Sequence, residues 1–215
     1  MMIEVRVDLV LLSLRQESLQ VFLESAGGGE PRETWRLPGC ALVERQSLEQ
    51  AAWGCLKGTT GGADAYLEQL YTYGDPDRVP GHRTVSCVYL GLLRSDGSAP
   101  GGEIHQWHRA ARLPRLMHDQ GAILKYALTR LRYKLEYTAV GFELLPQTFT
   151  LTELQGAYEA VLGEDLDKRN FRRRILRAGV IEATKSHRSG EGRPARLYRY
   201  RDDAVAEVKA RRLFP

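Results

Sequence analysis

The sequence predicts an α/β (α+β) sandwich followed by a C-terminal winged helix-turn-helix, and three observations carry that reading. Strand-like apolar runs separated by Gly/Pro loops fill the first half of the chain. Leu124, Leu128, Leu131 and Leu135 then recur at spacings of 4, 3 and 4, the single stripe of an amphipathic helix. Residues 149–200 finally read as helix, short turn, cationic helix and basic hairpin.

Each element has a local reason. Residues 3–14 (IEVRVDLVLLSL) alternate and then turn apolar, as a strand entering a buried sheet does. LQVFLE (19–24) makes a second strand, and the Gly-rich 26–31 a loop. Residues 35–43 combine a strand with a Pro-Gly turn. Ser47 caps a helix over 48–58. Residues 66–73 are a strand, 74–82 a polar loop, and 83–94 (RTVSCVYLGLLR) the strongest strand of all. After a turn at 95–102, EIHQWHRA begins a short strand. This first domain spans 1–118. A helix capped by Asp119 fills 119–139 and serves either as a connector or dimer helix or as a cover for its own sheet.

The third region, 140–215, is the most specific. Thr150 and Glu153 match the capping box, with Phe149 and Leu154 at the ends of a hydrophobic staple. Leu151, Leu154, Tyr158, Val161 and Leu162 form that helix's buried face, and Gly163 ends it. Asp167 caps the second helix, Phe171, Ile175 and Ala178 face inward, and Gly179 stops it. VIEAT, the loop KSHRSGEG and RPARLYRY make the wing hairpin.

Charge is uneven. Residues 1–140 carry 16 Lys/Arg and 16 Asp/Glu, so the net +4 sits entirely in 141–215. Within 165–201 there are 12 basic and 4 acidic residues, the footprint of a phosphate-binding surface. A solvated charged face would show the same count, so the pattern has to decide. Lys168 and Arg169 open the second helix, where the backbone dipole already presents positive charge. A sequence that accepts this mismatch has an anion to meet. In a helix-turn-helix those residues reach the major groove of operator DNA. Asn170 can pair with adenine and Arg with guanine, and Arg172 and Arg173 extend the cationic face. In the wing, Arg188 and Arg193 suit backbone or minor-groove contacts, with Gly190 and Gly192 permitting close approach. Double-stranded DNA is the expected partner. Structured RNA is a poorer fit, because duplex RNA hides its major groove.

Cys40, Cys55 and Cys87 are scattered without CxxC pairing, so neither a disulfide framework nor a zinc pattern is expected, in keeping with a reducing, cytoplasmic setting. The N-terminus does not read as a signal peptide, and no membrane is expected among the partners. His82, His105, His108, His118 and His187 lack metal-ligand spacing and read as surface or loop residues. No metal and no cofactor are expected.

Residues 35–61, WRLPGCALVERQSLEQAAWGCLKGTTG, resemble the Nudix box of pyrophosphate hydrolases. The scaffold positions match: Leu37-Pro38-Gly39 as the turn, Leu48, Ala51 and Ala52 as the packing face, Gly61 as the helix end. The chemical positions do not. Cys40 stands for the box glycine and Gln46 for its first glutamate. Gly54-Cys55 replaces the Arg-Glu pair and Gly58-Thr59 the metal-binding Glu-Glu pair. Hard divalent cations need carboxylate oxygens there, so the box reads as catalytically dead. Glu44 and Glu49 lie nearby but out of register. The whole chain resembles the Nudix-related transcriptional regulators, which join such a domain to a winged helix. The resemblance rests on the box, GDPDR…RTVSCVYLGL, LRYKLEYTAVGFELLP and, above all, FTLTELQ…LDKRNFRRRIL…GRPARLYRY.

The resemblance implies a homodimeric repressor of NAD metabolism genes, not an enzyme. It implies that Lys168, Arg169, Asn170, Arg172, Arg173 and Arg193 touch DNA. It implies an ADP-ribose-like nucleotide as small-molecule effector of the first domain, with Arg36, Arg78 and Arg83 as candidate pyrophosphate contacts. Trp35, Tyr73 and Trp107 are candidate base-stacking residues. Regulation of sugar catabolism with another effector, or a residual ADP-ribose pyrophosphatase, are the alternatives.

Overall fold

The computed structural model describes residues 2–27, 34–97, 101–189 and 194–204. They form two compact units. The first holds 1–13, 18–93 and 97–127; the second holds 14–17, 94–96 and 128–215.

The first unit is built on one branched mixed sheet. Its strands are β1 (Glu4–Arg15), β2 (Ser18–Ser25), β3 (Thr34–Arg36), β4 (Gly39–Ala41), β5 (Ala65–Tyr73), β6 (Thr84–Leu93), β7 (His105–Arg109) and β8 (Arg115–Leu116). The main order is β5-β6-β1-β2-β3-β8, with β4 added to β1 and β7 to β2. β1 and β6 are parallel, and both are buried over most of their length, which explains their apolar runs. The strand with a Pro-Gly turn expected over 35–43 is two short strands, β3 and β4, parted at Leu37-Pro38, where proline offers no N–H to a ladder. β8 lacks an apolar signature and forms only by pairing with β3.

Helix α1 (Leu48–Thr60) has a full capping box between Ser47 and Gln50. It lays Ala51, Ala52 and Leu56 onto Val7, Leu9, Leu11, Phe22, Cys87 and Tyr89. Gly39 is fixed by close approach. A Cβ there would lie 2.3 Å from Asp8 Oδ1 and 2.8 Å from the Val7 carbonyl. Asp8 is itself buried, with Arg6 Nε 3.5 Å from its carboxylate.

Helix α2 (Gln120–Tyr137) follows, and the division between the units falls within it, after Ala127. Leu124, Leu131 and Leu135 are buried and Leu128 half-buried, so the stripe is used within the chain. Asp119 precedes the helix, but its carboxylate goes to Arg78; its backbone carbonyl takes the Ala122 and Ile123 N–H groups.

The second unit contains a 3-10 turn (Ala139–Leu144), α3 (Leu151–Leu162), α4 (Lys168–Ala178), β9 (Ile181–Arg188) and β10 (Ala195–Tyr200). The capping box at Thr150 is present in both directions: Thr150 Oγ1 accepts the Glu153 N–H at 3.1 Å, and Glu153 Oε2 accepts the Thr150 N–H at 2.7 Å. The buried face of α3 is Leu154, Ala157, Tyr158 and Val161. Leu151 and Leu162 are half-buried, since they lie at the edge of that stripe and Ala157 takes the centre. Tyr158 meets Phe171 edge-on at 5.4 Å, joining the two helices. Gly179 adopts a left-handed φ of 69° and stops α4. The first half of the expected wing loop, Lys185 to Arg188, is strand, because β9 runs on to Arg188. Phe149 and Tyr198 exchange both backbone hydrogen bonds, so the segment before α3 bridges to the hairpin.

Candidate nucleic-acid interface and effector domain

Helix α4 sorts its side chains by angle. Phe171 and Ile175 are buried, so the opposite face, one hundred degrees of turn per residue apart, carries Arg169, Arg173 and Leu176. All three are exposed, and Leu176 is 50% exposed in an otherwise cationic helix. Lys168 and Asn170 are exposed at its first turn. The Asp167 carboxylate accepts the Asn170 N–H at 2.8 Å and partly offsets the cations beside it. Asn170 Oδ1 accepts from Arg173 Nη2 at 2.8 Å, which holds that guanidinium in one orientation. Arg172 is placed differently. It is half-buried, donates from Nη2 to Thr152 Oγ1 at 3.0 Å, and keeps its Nε out of solvent. It braces α4 against the start of α3.

On the wing, Lys185, Ser186 and Arg188 are exposed. Arg188 forms an ion pair with Glu153, the capping residue of α3, and also reaches the Thr148 carbonyl at 3.4 Å. Arg199 pairs with Glu182 across the hairpin. Arg193, with Gly190 and Gly192, lies outside the described residues. Arg201 Nη1 donates to the Gly179 carbonyl at 2.8 Å, holding the end of α4. Its long reach from the end of β10 left no local signal in the sequence.

In the first unit the candidate effector residues do not converge in one way. Arg78 is a brace: Nε and Nη2 bind Asp119 and Nη1 donates to Ser86 Oγ at 2.7 Å, with only 4% of its side chain exposed. Arg36 pairs with Glu24. Arg83 Nη1 donates to the Gly74 carbonyl at 2.8 Å. Trp107 lies 4.8 Å from the Phe22 ring, and Trp35 meets His108 edge-on at 4.5 Å. Tyr73 sits below the Arg78 guanidinium, and burial pushes its phenol up to about 12. His105 and His108 are half-buried in β7, not loop residues; burial lowers the His108 pKa. Glu44 and Glu49 are exposed, and no group of three metal-ligating side chains occurs among the described residues.

A Nudix-like mixed sheet with its box helix, and a winged helix whose second helix presents arginines outward, define a DNA-binding regulator of the winged-helix class. Residues 141–200 match the NrtR DNA-binding winged helix domain. Over 202 residues the chain is 35% identical to the ADPR responsive transcriptional repressor NtrR of Acinetobacter baylyi, covering 90% of this chain and 80% of that one. It therefore belongs to the NrtR family of transcriptional regulators. It also resembles Shewanella oneidensis NrtR complexed with a 27mer DNA, with a TM-score of 0.82 and 29% identity over 97% of this chain and 96% of that one. The Nudix domain of S. oneidensis NrtR complexed with ADP ribose matches 61% of this chain and 90% of its own length, at 25% identity and a TM-score of 0.51. No helix among the described residues is long and apolar enough to cross a membrane.

Proposed function

We propose that this chain is a cytoplasmic repressor that binds operator DNA as a homodimer and answers to an ADP-ribose-like nucleotide. The observation that carries it is the outward face of α4, where Arg169, Arg173 and Leu176 stand exposed beside a basic wing. Arg169 and Arg173 read base edges, Lys168 and Asn170 hold phosphate or base at the helix start, and Arg193 serves the wing. Arg172 contributes by positioning α4, and Arg188, exposed on the wing beside Glu153, offers a phosphate contact. The dimer reading is supported by the relative's 27mer, which at about 10.5 bp per turn exceeds the reach of one recognition helix. The effector side rests on the relatives named for ADPR and ADP ribose. Arg36, Arg83 and Trp107 remain the proposed contacts. Hydrolysis is not part of the proposal, because Gly54, Cys55, Gly58 and Thr59 offer no carboxylate to a metal at the box positions.

The test is a mobility shift with upstream regions of NAD-metabolism genes and of the protein's own gene, at about 150 mM salt with excess competitor. A specific shift weakened or strengthened by ADP-ribose is expected. A specific shift indifferent to ADP-ribose would remove the effector assignment and redirect it to sugar-derived ligands. Loss of all specific binding would remove the regulator reading. Mg²⁺-dependent release of AMP from ADP-ribose would overturn the non-enzymatic reading.

A further inference from the structure

All three cysteines gather where α1 packs on the sheet: Cys55 on the helix, Cys40 and Cys87 on the strands. Val7 on β1 stands opposite Cys40 of β4 on one side and Cys87 of β6 on the other, so these side chains share one face of the sheet. The Cys40 thiol donates to the Ala51 carbonyl at 3.7 Å. Cys55 lies one turn further along the same face of α1 from Ala51, and Cys40 and Cys55 pack against the same core cluster. Cys40 and Cys55 are free and half-buried; Cys87 is buried, with Val7 between it and Cys40 and Thr72 Oγ1 3.8 Å from its sulfur.

We propose that Cys40 and Cys55 are an oxidisable thiol pair, a disulfide site that cross-links β4 to α1. A peroxide is the oxidant. The Cys40 sulfur attacks a peroxide oxygen, the O–O bond breaks, and one oxygen leaves as water, giving a sulfenic acid. The Cys55 sulfur then displaces that hydroxyl: the S–S bond forms, the S–O bond breaks, and the Cys55 proton departs with hydroxide as a second water. Two thiols are oxidised and one peroxide is reduced to two waters. Burial pushes the Cys55 thiol up, so the cross-link forms faster as pH rises. The proposal is independent of the DNA and effector readings.

The three cysteines fall on separate tryptic peptides, LPGCALVER, QSLEQAAWGCLK and TVSCVYLGLLR. The full chain, reduced, is treated with hydrogen peroxide, alkylated in denaturant and digested without reductant. A linked LPGCALVER–QSLEQAAWGCLK species is expected, lost on adding dithiothreitol, while the Cys87 peptide is recovered alkylated. Cys40→Ser and Cys55→Ser each abolish it and Cys87→Ser does not. Oxidised wild type should also melt higher than reduced, with no such difference in Cys55→Ser. Recovery of Cys40 as sulfinic acid without the link, a link through Cys87, or an unchanged melting point would overturn the proposal.

Discussion

Arg78 grips Asp119 with two parallel hydrogen bonds, Nε to Oδ2 and Nη2 to Oδ1, each 2.9 Å. The guanidinium is nearly buried, so removing it leaves a carboxylate and a serine hydroxyl without their donor. Arg78→Ala should destabilise the protein by about 3 kcal/mol. Arg78→Lys keeps the charge but loses the fork, and should fall between. Denaturant titration of the three proteins checks the order. An Arg78→Ala protein of unchanged stability that has lost nucleotide binding would return this residue to the effector contacts.

Arg173 and Arg172 are neighbours in sequence with opposite expected effects. Arg173→Ala should weaken operator binding about ten- to a hundredfold and relax preference at one base position. Arg172→Ala should lower the melting point while altering specificity little, because its guanidinium serves Thr152. Titration against single-base operator variants, beside thermal melts, separates the two.

Glu153 holds both the α3 cap and Arg188. Glutamine fills the same capping-box position without a charge. Glu153→Gln should therefore free Arg188 for phosphate and raise DNA affinity a few-fold at low salt. Arg188→Ala should weaken binding evenly across sequences and flatten the log–log salt dependence by about one. Equal affinity for wild type and Glu153→Gln at every salt concentration would show that Arg188 stays off the DNA.

His108 is half-buried, and burial holds its pKa below the usual imidazole value. The unfolded chain takes up this proton as pH falls through about 6.5, whereas the folded chain resists it. Stability from this group is complete above that pH and is lost as pH falls toward the folded value. Melting points should thus decline between about pH 7 and 5, and His108→Gln should reduce the decline.

What could be read in the sequence was what local chemistry decides. Thr150 and Glu153, Ser47, Gly163 and Gly179 mark helix ends through groups three or four residues apart, and each stands where expected. The cationic second helix was equally legible. Placements set by register across distant strands were not. The cysteines are scattered in sequence but gather because Val7 sits opposite both Cys40 and Cys87. Nothing in GDPDR announces that Arg78 holds Asp119, 41 residues away. The bond from Arg172 to Thr152, which sets it apart from Arg173, left no sign in the sequence either. Exposure of Leu176 was hidden for the same reason, since an apolar residue in a helix is ordinarily taken as core.

The tight fit of Gly39 against Asp8 and the Val7 carbonyl separates the scaffold of the box from its chemistry. That glycine is required by steric fit whether or not any phosphate is ever cleaved nearby. The turn answers to packing and not to a metal, so it persists in a chain whose box positions hold no glutamate.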